Sequence, residues 1–206
     1  MTEEPMKRKP GRPKGTGSIQ TMQQILRTAA YLFMEQGFEK VSLEGVAQAC
    51  GVTKASVYYY FNNKGVLFTE CLLFVLKIAC DQTAEIMNGE GGLRERLLQV
   101  AVRHMKNAHL EFETMMREAS SGLSEEQITK IRLSEQAIHQ LLAEAFSKAM
   151  DEGEIVRCDS LLLAHAFTAV LAVKNRKEII NVHKSVEQAA EEIVKLLWTG
   201  LQPRQH

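Results

Sequence analysis

Apolar residues return at helical spacing along almost the whole chain. From Thr21, the residues Met22, Ile25, Leu26, Ala29, Ala30 and Phe33 share one face of a 3.6-residue period that stops at Gly37. This predicts an amphipathic helix, opened by a capping box from Thr21 to Gln24 and closed by a C′ glycine. Ser42 then caps a short helix carrying Leu43, Val46 and Ala47, which ends at Cys50-Gly51, and Thr53 caps a second short helix at once. Asn63 caps a longer one, running to about Met87. Breaks at Gly89 to Gly92, near Asn107, at Ser120 to Ser124, at Gly153 and near Val182 to Lys184 leave room for five more helices. The reading is all-α, with about nine helices.

The last two helices, about 159 to 180 and 185 to 201, differ in kind. The first is apolar nearly all round from Leu161 to Val173. The second places Val186, Ala189, Ala190, Ile193, Leu196 and Leu197 on one side. A helix apolar on every side needs partners on every side, which implies an intermolecular face.

With 45% hydrophobic and 24% charged residues, the chain has the composition of a globular protein. Its net charge of zero hides a sorting by region. Nine Lys and Arg stand against five Asp and Glu up to Lys64, and sixteen against twenty after it. Residues 1 to 18 are basic, rich in Pro and Gly and poor in apolar side chains, so a mobile arm is expected there. Cys50, Cys71, Cys80 and Cys158 form no CxxC pair, which speaks for small buried hydrophobes over a zinc site or disulfide. The longest apolar run has no transmembrane length and no signal peptide precedes it, so a cytoplasmic protein without a membrane partner is expected.

Two short helices joined by a tight turn over Ser42 to Phe61 are a helix-turn-helix pattern. The second presents Lys54, Ala55, Ser56, Tyr58 and Tyr59 in little more than one turn. That set combines a cation, small residues that allow close approach to base edges, and phenols that donate to phosphates. Val57 and Phe61, four apart, form its inward stripe.

Ala47 to Lys64, AQACGVTKASVYYYFNNK, resembles the DNA-binding domain of the tetracycline-repressor (TetR) family, over roughly residues 21 to 70. The resemblance implies a three-helix DNA-binding domain over 19–64, behind the arm of 1–18. A larger helical ligand-binding and dimerisation domain would follow over 65–206, its last two helices forming a homodimeric four-helix bundle. It places Lys54, Ala55 and Ser56 at base-reading positions and Tyr58, Tyr59 and Lys64 at phosphate-touching ones. Ser42 and Thr53 would serve as caps and phosphate donors. Tyr60 falls where His is frequent, leaving a backbone contact and a packing role open. Cys50, Gly45 and Gly65 depart from the family's usual residues, and each glycine costs about 1 kcal/mol of helix propensity.

The arm around Gly11-Arg12-Pro13 resembles a minor-groove hook, with Arg12 at the groove floor; a solvated tail that adds only nonspecific attraction is the alternative. His104, Met105, His109, Phe112, Met115, Met116, Phe146 and Phe167 suit the wall of a pocket for a small apolar or amphipathic effector, or else ordinary core. The expected dimer face is Leu161, Leu162, His165, Ala169, Ala172, Val186, Ala189, Ala190, Ile193 and Leu197, with a core or interface role for His165 weighed against a ligand contact.

The function this implies is a ligand-responsive transcriptional repressor: a homodimer on a near-palindromic double-stranded DNA operator, released by the effector, with no cofactor or metal. An activator or structural DNA-binding protein without an effector is the alternative. A helical enzyme would need convergent catalytic groups, and no HExxH, GxSxG or Gly-rich phosphate loop is present.

Overall fold

In the computed structural model, which describes residues 16–107, 112–175 and 185–203, three side-chain caps set the layout of the first third. Helix α1 spans Thr16–Gln36 and stops at Gly37, whose N–H donates to the Phe33 carbonyl at 3.0 Å. Ser42 caps α2 (Leu43–Cys50), Thr53 caps α3 (Lys54–Tyr60) and Asn63 caps α4 (Lys64–Met87), each side chain accepting from the amide three residues on. Gly51, at φ 67°, makes the left-handed turn that lets α3 follow α2 almost without a loop.

Five further helices follow: α5 (Leu93–Asn107), α6 (Phe112–Ala119), α7 (Glu125–Asp151), α8 (Ser160–Leu171) and α9 (Val186–Leu201). A 3-10 turn over Ser120–Gly122 follows α6, and another over Ala172–Asn175 follows α8. The described residues thus hold nine α-helices and no strand. Serine 124 and Gln127 close a full capping box at the start of α7. Among the described residues no helix is long and apolar enough to cross a membrane.

Two apolar cores share α4 and α7. The first joins α1, α2, α3 and the first half of α4 to Met116 and Ala119 of α6 and Ile131 of α7. At its centre Phe68 meets Phe33 edge-on at 5.0 Å and Phe38 at 5.1 Å, the offset geometry that aromatic quadrupoles favour. The second core joins the end of α4 to α5, the second half of α7, α8 and α9. Arg96 on α5 donates to the Met87 carbonyl at 2.6 Å and so ties down the end of α4.

Three expectations are corrected here. The first helix begins at Thr16, not Thr21, because Tyr60 of α3 donates its hydroxyl to the Ser18 carbonyl at 3.2 Å and pairs with the Ser18 hydroxyl at 2.8 Å, supporting an extra turn. Thr16 to Ser18 therefore do not belong to the arm. The capping box at Thr21 does not form; Gln24 donates instead to the Cys50 carbonyl at 2.9 Å and binds α1 to the end of α2. The eighth helix gives way to the 3-10 turn after Leu171, short of 180. The arm with Arg12, His109 and the break near Val182 to Lys184 lie outside the described residues.

Candidate nucleic-acid interface and helical cavity

The turn at Gly51 and the cap at Thr53 fix the rotation of α3. Val57 and Phe61 are thereby buried against α1 and α2, and Lys54, Ala55, Tyr58 and Tyr59 stand outward. Tyr59 is 80% exposed. A surface helix bearing a cation and two phenols on one face can donate to phosphates and to base acceptors in a major groove. Ser56 is half-buried, with its hydroxyl 2.8 Å from that of Thr53, and the Ser42 hydroxyl accepts from Gly45 at 3.0 Å. These three hydroxyls thus also serve the local caps. Tyr60 turns toward Ser18, to whose carbonyl its hydroxyl donates.

Two of the cations are engaged within the domain. The Lys64 ammonium donates to the Glu39 carbonyl at 3.0 Å and lies 4.4 Å over the Phe38 ring, which joins α4 to the loop after α1. The Lys54 ammonium sits 2.5 Å from Oε1 of Glu44 on α2, and the Tyr58 hydroxyl donates to the same oxygen at 3.0 Å. The hydrogen bond from Lys54, then the backbone amide at Glu44 and the Tyr58 hydroxyl, pull the Glu44 carboxyl from its ordinary 4.5 down to about 2. The same carboxylate pushes Lys54 and Tyr58 upward. Glu44 escaped the sequence reading, although a carboxylate in the first turn of α2 facing the start of α3 was the available signal.

A half-open cavity of about 190 Å³ lies between α1, α4, α5, α6 and α7. Its wall is apolar, with Met34, Leu72, Val75, Val100, Phe112 and Met115 among its residues, and Gln82, Thr83, Arg103 and His104 supply polar groups. Arg103 donates to Gln82 across the α4–α5 junction at 2.6 Å. The sequence-selected residues divide. His104, Phe112 and Met115 line the cavity. Met105, Phe146 and Phe167 do not, because they fill the second core, and Met116 points into the first. The α4 side of the wall went unread, though Leu72, Val75, Leu76, Ala79, Thr83 and Ile86 recur at three- and four-residue spacing along one face of that helix.

On the far side, Leu161, Leu162, His165 and Ala169 of α8 are exposed, Leu162 at 68%. Ala172, Val186, Ile193 and Leu197 are half-buried. Ala189 and Ala190, at 1% and 0%, are corrected: with Val194 and Leu201 they form the inward stripe of α9 and pack in the chain's own core, while Leu196 faces out at 77%. His165 lies away from the cavity. Its ring stacks on His139 of α7 at 3.9 Å, and His139 Nε2 pairs with the Thr168 hydroxyl at 2.9 Å.

Residues 25–71 match the family model described as bacterial regulatory proteins, tetR family. The HTH-type transcriptional regulator AcrR of Shigella flexneri is 43% identical over 51 residues, which cover 25% of this chain and 24% of that protein. The chain thus matches about a quarter of that relative's length. Over the whole fold, the crystal structure of Escherichia coli NemR in its reduced form superposes with a TM-score of 0.73 at 19% identity, covering 90% of this chain and all of that one. Bacillus subtilis FadR in complex with stearoyl-CoA gives 0.69 at 19% identity, covering 86% and 98%. The stretch that carries the helix-turn-helix, residues 25–71, is thus similar to the tetR family of bacterial regulatory proteins, and the fold of the whole chain is shared with the solved structures.

Proposed function

We propose that the protein is a ligand-responsive transcriptional repressor that binds a near-palindromic operator as a homodimer and is released by a small apolar or amphipathic effector. In this reading residues 19–64 carry the DNA contacts, with Lys54, Ala55 and Ser56 at base edges and Tyr58, Tyr59, Lys64, Ser42 and Thr53 near phosphates. Residues 65–206 bind the effector and dimerise. The observation that carries it is the shared wall of the cavity. Met34 belongs to α1 and Leu72 to the core of the helix-turn-helix domain, so a ligand that displaces either also moves the reading head. The names of the relatives, which are transcriptional regulators, support the DNA half, and the FadR complex with stearoyl-CoA shows that this fold holds an apolar-tailed ligand in that protein.

Dimerisation through the outward faces of α8 and α9 supplies the geometry that a palindrome requires, since both recognition helices must enter successive major grooves together. The test is selection of bound duplexes from a random pool by the full-length protein, followed by release with a panel of fatty acids and aromatic carboxylates. A Val75→Trp variant, with the cavity filled, should bind the selected duplex and resist release. Failure to enrich any sequence would overturn the DNA-reading half. Enrichment without release by any compound would favour an activator or structural DNA-binding protein instead.

A further inference from the structure

One carboxylate holds two of the donors that the proposed reading helix offers to DNA, Lys54 and Tyr58. Glu44 accepts from Lys54 at 2.5 Å and from Tyr58 at 3.0 Å, and the Lys54 ammonium lies 5.4 Å over the Tyr58 ring, so the three side chains close into one cluster on the exposed face shared by α2 and α3. Glu44 stands in the first turn of α2, where the helix dipole favours a negative charge, so the carboxylate is ionised when DNA arrives.

We propose that Glu44 is a specificity-determining residue: its carboxylate occupies Lys54 and Tyr58 as a substitute for DNA acceptors, and releases them at a sequence that offers it an exocyclic amine, cytosine N4, in return. This rests on the DNA-binding reading above. On duplex of arbitrary sequence, moving Lys54 or Tyr58 to a phosphate exchanges one anionic partner for another and leaves a bare carboxylate beside the backbone, so the gain is small and the repulsion new. At a sequence with guanine under Lys54 and cytosine N4 under Glu44, both charges keep partners. The carboxylate thus penalises wrong sequences more than it aids the right one.

The experiment compares wild type, Glu44→Gln and Glu44→Ala on two duplexes of equal length, one selected by the wild-type protein and one of random sequence. Both variants should bind the random duplex about fivefold tighter or more, with a salt slope steeper by about 1 per protomer. The ratio of selected to random affinity should fall about tenfold, the discrimination that one base-directed group supplies. Selection repeated with Glu44→Ala should lose base preference at one position in each half-site. An equal factor on both duplexes, or an unchanged affinity for random DNA, overturns the proposal. A lowered melting temperature with equal losses on both duplexes would make Glu44 a strut between α2 and α3. If the wild type enriches no sequence, the DNA reading itself fails and this inference falls with it.

Discussion

Gly65 in the first turn of α4 meets Gly122 in the turn after α6 backbone to backbone: a Cβ at Gly65 would lie 2.7 Å from the Gly122 carbonyl oxygen. Gly122 in turn lies so close to the Phe38 ring that a Cβ there would stand 2.6 Å from it. A glycine that looked like a costly departure inside a helix therefore makes room for a close approach between α4 and the segment bordering the cavity.

Gly65→Ala gains about 1 kcal/mol of helix propensity in isolation. Against the Gly122 carbonyl it forces a backbone shift, and overpacking of this kind costs about 1–3 kcal/mol. The net expectation is a lower urea midpoint with an unchanged slope. A higher midpoint would show that the contact relaxes freely.

Lys54→Ala and Tyr58→Phe should separate by sequence. The lysine variant should lose about tenfold or more on the selected operator and relax one base position per half-site. The tyrosine variant should weaken all duplexes alike, as befits a phosphate donor. Affinities on selected and random duplexes check both, and a uniform loss for Lys54→Ala would make it a phosphate contact.

Ala169→Asp sets a charge on the outward face of α8, one turn from exposed His165 and half-buried Ala172. Buried at a subunit interface, that carboxylate would be unpaired, so sedimentation should find monomer or aggregate. A folded variant that sediments as a dimer would place the interface elsewhere.

The imidazole of His139 is pushed below its ordinary 6.5, first by burial and second by His165. Facing it are His165 and Thr168 from α8, with Glu135 one turn away on α7. A depressed histidine is neutral in the fold and charges more readily in the unfolded chain. Its contribution is therefore full above 6.5 and declines as the pH drops through that value toward the folded one. Glu135, raised by burial, works with the opposite sign: its contribution is full below 4.5 and is lost as the pH rises. Urea melts between pH 7.5 and 5.5 should show stability falling with acid, and His139→Gln should flatten that slope. An unchanged slope in the variant would assign the dependence to other groups.

Local signals were legible and tertiary ones were not. The caps at Ser42, Thr53 and Asn63 depend on side chains within three residues of the amides they serve, so α3 and its inward stripe of Val57 and Phe61 followed from sequence. The true start of α1 depends on Tyr60, forty-two residues away from Ser18. In α9, Ala189 and Ala190 read as part of one apolar side with Ile193 and Leu197, and only the packing of α5 and α8 beside the helix shows that the two alanines turn inward. Met105, Phe146 and Phe167 have pocket-like chemistry, and only packing shows that each is closed off.

The seating of Phe68 against Phe33 and Phe38 also decides how this chain can be recombined with others of the same fold. A chimera joined at Lys64 would assign Phe68 to one parent and its two aromatic partners to the other, exposing a ring-sized hole in the donor piece. A transplantable reader would have to travel with α4 at least through Leu72, and its new host would need side chains equivalent to Met116 and Ala119 to close the same surface. Crossovers that respect this seam should yield soluble hybrids, and those cut at the helix start should not.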